Sequence, residues 1–365
     1  MVDAMQSHRN QVFEKLLACI KECSQANISV DLGQVVYDAS FKMMFSTIFS
    51  LDSVCDEKVR EIKDLMDCII KEIGRPNIAD CYPFLKVVDP QCIRHRLTSY
   101  CAKVFKLFDQ ILEVRLKSRE ELVKYSGIYN DLLDVIVEVM EEQRDDIKRE
   151  HVQHLLLDLL GAGMNATSKT IEWAMTELLE NPNVLQKLQE EIENVAGKGM
   201  NQVMESNIPQ LPYLQAVVTE TLRLHPTAPL LLPRKVTEQI EIYGFVLPND
   251  SMLIVNTWAI GRDPFTWDDQ DVFTPERFMG TKVDVKAQVI KLFTFGAGKK
   301  ICPGMSLALS VSYLMLANLV SYFDWKLDDS VELHQDMGML DDYFGITLTK
   351  TKSLCAFPTE RKRFV

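Results

Sequence analysis

No CxxC pair occurs in this chain, and no uninterrupted apolar run reaches membrane-spanning length. With the cysteines odd in number and scattered, the first absence argues against a zinc module or a disulfide framework, and a reducing compartment fits. The second argues against a bilayer-crossing helix. Residues Met1 to Asn10 do not have the order of a signal peptide. Positive charge is also scarce: 40 Lys and Arg stand against 52 Asp and Glu, a net charge of −12. That balance argues against nucleic acid as a partner. No internal repeat or low-complexity linker interrupts the sequence. What is present, 365 residues of which 47% are hydrophobic, is ample for a large core in one big domain or two.

One stretch concentrates chemistry, Phe295-Gly296-Ala297-Gly298-Lys299-Lys300-Ile301-Cys302-Pro303-Gly304, with an apolar helix predicted from about Met305 to Tyr322. Its glycines permit tight turns and close backbone approach to a flat partner. Pro303 suits a first helical position, which puts Cys302 at a helix N-terminus. Amides and dipole there favour a thiolate, a good ligand for a haem iron. A lone cysteine is otherwise a small buried hydrophobe. Two phosphate-binding patterns fail here. The P-loop needs Gly at 293 and Ser or Thr at 300, where Phe and Lys stand, and the dinucleotide pattern needs Gly at 301, which is Ile.

The stretch resembles the haem-binding signature of the cytochrome P450 family, Phe-x-x-Gly-x-Arg-x-Cys-x-Gly. Phe295, Gly298, Cys302 and Gly304 match, and Lys300 replaces the arginine. The resemblance implies Cys302 as the proximal ligand of haem b (iron protoporphyrin IX), with Phe295 beside its sulfur. Lys300 keeps a charge for a propionate but loses the planar fork.

Residues 150 to about 180 form the second informative stretch. Leu155 to Met164 is apolar nearly all round, as in a buried helix. Gly161 and Gly163 inside it each cost about 1 kcal/mol against Ala, kept either for close packing or for a ligand. By resemblance this is the oxygen-binding helix, Ala-Gly-x-Asp/Glu-Thr-Thr. Ala162 and Gly163 match and Thr167 fits the second threonine, but Asn165 replaces the acid and Ala166 the first threonine. A positioned proton donor contributes about 10²–10⁴-fold. Asn cannot titrate and Ala cannot donate, which leaves water, Thr167 or Ser168 to compensate.

Glu220 and Arg223 have the spacing of a surface helix pair. His225-Pro226 and Pro275-Glu276-Arg277-Phe278 follow in the order of the family's Glu-x-x-Arg helix and Pro-Glu-Arg-Phe loop. The resemblance implies that Glu220, Arg223 and Arg277 form one buried charge network. It also implies that the Pro229–Arg234 loop lines the substrate pocket. Leu230 and Leu231 then face substrate with Ala162, Phe344 and Ile346, and Arg234 meets a propionate.

Apolar spacing predicts further helices over about 8–24, 57–72, 91–122, 184–195 and 214–224. Two more are capped by Asp31 and Asp131. Cys19 and Cys23 read as one packed face. Pro76, Pro83 and Pro90 mark an irregular stretch. Residues 239–247 read as a strand interrupted by Gly244, and 252–256 as a second. The expectation is a mainly α fold with small β-sheets, a single cytochrome P450 catalytic domain over 1–365. It is expected to be incomplete at the N-terminus, lacking about the first quarter of a typical member, including its membrane anchor.

The resemblance is strongest to plant microsomal members that oxidise terpenoids, of the geraniol hydroxylase type. It implies a small hydrophobic substrate and electrons from NADPH through a flavoprotein reductase. The full-length type sits on the cytosolic face of the endoplasmic reticulum membrane, whereas this chain is expected to have no anchor. Two alternatives stand beside monooxygenation. One is a non-catalytic remnant with impaired haem binding, and the other is a haem-dependent isomerase or dehydratase that needs no reductase.

Overall fold

A computed structural model describes residues 6–50, 54–122, 131–142, 147–196, 202–280, 292–328, 347–350 and 352–361. Mainly α-helical with small antiparallel sheets, it falls into two compact units. One takes the described residues up to Glu22 together with Gln34–Asn165; the other takes Cys23–Gly33 and the described residues from Ala166 onward.

The first unit is helical. It holds most of α1 (Gln6–Ala26) and α2 (Leu32–Phe49), then α3 (Asp56–Ile73), α4 (Ile78–Cys81), α5 (Ile93–Leu122), α6 (Leu132–Glu142) and the first half of α7 (Arg149–Glu180). Apolar residues at helical spacing explain α3, whose Val59, Ile62, Met66 and Ile69 are buried. They join one core with Val104, Phe108 and Leu112 of α5 and Leu156, Leu160 and Met164 of α7. Phe41, Phe45 and Phe49 recur every four residues on α2, and successive rings lie 5.8 and 4.7 Å apart. Full burial of each such side chain contributes about 1.5–3 kcal/mol.

The helical glycines serve this packing. A Cβ on Gly163 would stand 2.6 Å from Met44 Cε, and one on Gly161 would stand 3.3 Å from Met66 Cε. Close helix contact therefore offsets the propensity cost. Asp131 caps α6, its Oδ1 accepting the Asp134 N–H at 3.0 Å. Asp31, expected only as a cap of α2, also belongs to a short strand and pairs with Cys355.

The second unit contains the rest of α7, α8 (Pro182–Ala196), α9 (Pro212–Leu224), the short α10 (Thr257–Ile260) and α11 (Met305–Tyr322). Its three-stranded sheet has the order β1-β7-β6, from β1 (Val30–Asp31), β6 (Phe323–Leu327) and β7 (Cys355–Glu360). Two antiparallel pairs complete it. β2 (Arg234–Lys235) pairs with β5 (Met252–Leu253), and β3 (Ile240–Ile242) with β4 (Phe245–Leu247).

Three expectations need correction. The single strand over 239–247 is a hairpin, because Tyr243 and Gly244 both take positive φ, 50° and 81°. That conformation makes the two-residue turn matching strand twist. The strand expected over 252–256 stops at Leu253 because Asn256 caps α10, accepting the Ala259 N–H. Pro303 is not the first helical residue: α11 begins at Met305 with Gly304 as its cap. Among the described residues, α11 alone is long and apolar enough to cross a membrane, and 61% of that window is buried inside the fold.

Candidate functional site

Glu220 and Arg223 lie on the buried face of α9, both with fully buried side chains. Arg223 donates from Nε to Glu220 Oε2 at 2.7 Å and from Nη2 to Oε1 at 2.8 Å. Arg277, on the 3-10 turn Pro275–Phe278, donates from Nε to Glu220 Oε1 at 3.0 Å. The Thr274 N–H adds a bond to the same oxygen at 2.8 Å.

The remaining guanidinium donors reach backbone carbonyls. Arg223 binds those of Gly261, Gln270 and Val272, and Arg277 binds those of Asp268, Asp269 and Val272. Burial of Glu220 and Arg223, with Arg277 half-buried beside them, is tolerable only with such pairing. The network thereby holds the irregular 261–277 segment. Gly261 is required for the approach, since a Cβ there would lie 2.3 Å from the Arg223 carbonyl oxygen.

The thiol loop is a run of turns. Gly296 and Gly298 take φ of 73° and 63°, and a Cβ on Gly296 would meet the Lys300 oxygen at 2.9 Å. The Cys302 N–H donates to the Phe295 carbonyl at 2.8 Å and so closes the loop. Gly304 leaves room at the sulfur, because Sγ lies 3.8 Å from where its Cβ would be. Cys302 is half-buried. Arg234 Nη2 comes within 3.7 Å of the same Gly296 position, and Lys300 is exposed on the 3-10 turn Gly298–Lys300. A guanidinium thus approaches the loop and an ammonium is carried on it.

Beside the loop lies a cavity of about 30 Å³, lined by Ala166 and Thr167 of α7, Leu222 of α9, Phe295, and Ala308 and Leu309 of α11. Ala162 and Asn165 belong to the first unit, Ala162 exposed and Asn165 buried. Leu230 is exposed and Leu231 half-buried. Leu231 holds a left-handed φ of 50°, uncommon for a leucine. Phe344 and Ile346 lie outside the described residues.

Sequence reasoning missed the anchors of the Pro229–Arg234 loop. The Thr257 hydroxyl donates to the carbonyls of Ala228 and Pro229. His225 stacks on Trp173 with centroids 4.0 Å apart and bonds Glu177 at 2.6 Å. Burial lowers the His225 pKa; Glu177 opposes that shift, and the cations Arg262 and Lys350 add to it. His225 next to the Glu-x-x-Arg segment was a visible signal, whereas Thr257 had none.

The donor set bears on what the loop can hold. Among the described residues no cluster of three His, Cys, Asp or Glu could ligate a metal. A bare ion needs three or four protein ligands. A porphyrin iron brings four nitrogens of its own and asks the protein for one axial group. A single thiol on a glycine loop, with two cations at hand, fits haem.

The cytochrome P450 family model matches residues 2–353. The chain belongs to the cytochrome P450 family. Geraniol 8-hydroxylase from Catharanthus roseus is 41% identical over 98% of this chain and 72% of its own length. Cytochrome P450 76AD1 from Beta vulgaris is 41% identical over 99% and 72%. Drimenol monooxygenase from Persicaria hydropiper is 36% identical over 98% and 70%. Among solved structures, a zebra fish cytochrome P450 with progesterone superposes at a TM-score of 0.79 with 24% identity, covering 98% of this chain and 78% of that one, a likeness of fold. This P450 is thus an oxidoreductase of an oxygen-incorporating family, with plant monooxygenases among its relatives.

Proposed function

We propose that this P450 is a haem-thiolate monooxygenase acting on a small, terpenoid-like apolar metabolite, with Cys302 as the thiolate ligand. The single observation that carries the reading is the thiol loop, closed by the Cys302–Phe295 hydrogen bond on positive-φ glycines beside an apolar cavity. Bound haem b would supply the oxygen activation. The chain's residues do the rest. Phe295 packs beside the sulfur, and Arg234 and Lys300 hold the propionates. The Glu220–Arg223–Arg277 network keeps the 261–277 segment in place, and Leu230 and Leu231 face substrate. The relatives support a terpenoid-like substrate, since two bear the names geraniol 8-hydroxylase and drimenol monooxygenase. Electrons come from NADPH through a flavoprotein reductase at the cytosolic face of the endoplasmic reticulum.

The test is the absorption spectrum of the reduced, carbon-monoxide-bound protein. A strongly red-shifted haem band is expected, and Cys302→Ala is expected to abolish it. Retention of the same band in that variant would refute the ligand assignment. A second reading, a haem isomerase or dehydratase, is favoured by Ala166, whose methyl lines the cavity where the family's hydroxyl is expected. Product formation without NADPH and reductase would select it.

A further inference from the structure

Leu231 holds its left-handed φ of 50° beside a buried anchor. A bulky residue persists there only where its surroundings over-determine the backbone, and such outliers gather at functional sites. The turn from Ala228 to Leu231 is held from three sides. Within it, the Leu231 N–H donates to the Ala228 carbonyl at 3.0 Å. From α10, the Thr257 hydroxyl shares its one proton between the Ala228 and Pro229 carbonyls, at 3.1 and 3.0 Å. The Trp258 N–H also reaches the Pro229 carbonyl, at 3.2 Å. From the 347–350 segment, the Leu348 N–H donates to the Thr227 carbonyl at 2.8 Å. Of these donors only the Thr257 hydroxyl is a side chain. Thr257 is 1% exposed, so it acts on a substrate only through the loop it holds.

We infer that Thr257 is a positioning residue that fixes where Leu230 and Leu231 meet the substrate, and so which carbon of an apolar substrate is oxidised. The inference rests on the monooxygenase reading, to which it adds a determinant of selectivity. Without the hydroxyl each carbonyl keeps one donor, Ala228 that of Leu231 and Pro229 that of Trp258. The fold therefore survives, while the turn is free to leave its strained conformation. Leu230, 43% exposed, moves with it, and the substrate is presented in more than one orientation.

The test is Thr257→Val in the haem-loaded chain, read first by hydrogen exchange at the Leu231 amide, which needs no substrate. Exchange should quicken about two- to tenfold over wild type, the fold-change of one hydrogen bond, with Thr257→Ser restoring protection. With geraniol as the probe, KM should rise by a similar factor while kcat stays within about twofold, as for lost ground-state binding. The ratio of oxidation products should shift as well. Exchange at Leu231 in the wild type as fast as in an unfolded chain, or equal in wild type and Thr257→Val, would overturn the anchor. An unchanged product ratio despite faster exchange would overturn the selectivity role. The carbon-monoxide spectrum of each variant is recorded alongside. A wild type without the red-shifted band, or one that leaves geraniol unoxidised, defeats the reading as a monooxygenase of terpenoid-like substrates, while the exchange result still decides whether Thr257 fixes the loop.

Discussion

Each unit holds a buried ionic network centred on an arginine, Arg115 in the first and Arg223 in the second, and these two are built with opposite stoichiometry. In the first unit one cation serves two acids: Arg115 Nη2 bonds Asp131 Oδ2 at 2.7 Å, and Nη1 bonds Asp134 Oδ1 at 2.9 Å. The Ser50 hydroxyl and the Phe49 carbonyl complete it. In the second, one acid serves two cations, Glu220 with Arg223 and Arg277. The first ties together helix ends. The second spends its surplus donors on carbonyls of an irregular segment, a use only guanidinium forks allow. The difference shows which charge is replaceable. An orphaned carboxylate can escape by taking a proton, whereas an orphaned guanidinium cannot lose one.

The largest effect should therefore come from Glu220→Gln. It strands the buried Arg223 and the half-buried Arg277 guanidinium at about 3–5 kcal/mol, against a total stability of about 5–15 kcal/mol. No soluble folded protein is expected at any pH between 5 and 9, read by circular dichroism and solubility. A folded variant with wild-type melting would show that the network is not a scaffold.

Arg115→Leu sharpens the contrast. It strands Asp131 and Asp134, again at about 3–5 kcal/mol near neutral pH. Acid relieves buried carboxylates that lack a counter-charge, so the variant's deficit is expected to shrink as pH falls. The expected result is a variant that melts low at pH 8 and recovers toward pH 5. A deficit unchanged by acid would break the comparison.

The two networks also differ in how far they could be read beforehand. Glu220, Arg223 and Arg277 sit in two short segments whose order matched a family pattern, although the spacing of Glu220 and Arg223 alone pointed to a surface pair. Arg115 and Asp131 carry no pattern. Asp131 was legible only as a helix cap, because the partner that makes it a buried anion comes from another helix. The hairpin at Tyr243-Gly244 was misread for a related reason. A glycine in an alternating run looks like an interruption until the neighbouring residue's positive φ is known. The turns of the thiol loop were legible in Gly296 and Gly298, whose positive φ is a local backbone demand, whereas Pro303 does not open the helix as its position suggested. The Thr257–Ala228 contact was not legible, since residues 29 apart meet only after folding.

The smallest predicted effect concerns His225, two residues beyond Arg223. Its ring stacks on Trp173 with an interplanar angle of 5° and bonds Glu177. Lys350 Nζ lies 5.1 Å from the Trp173 centroid. Burial dominates this setting, so the folded pKa lies below the unfolded value despite Glu177. The unfolded chain then binds the extra proton. Stability is fully present above about pH 6.5 and declines as pH falls toward the lower folded value, by about 1.4 kcal/mol per pKa unit of depression. His225→Gln keeps an N–H for Glu177 and removes the titration. Melting temperatures from pH 8 to 5 should therefore fall more steeply in the wild type than in the variant. A wild-type curve that falls less steeply than the variant's would mean that Glu177 holds the imidazole protonated in the fold, making the stacked pair a charged site rather than a neutral one.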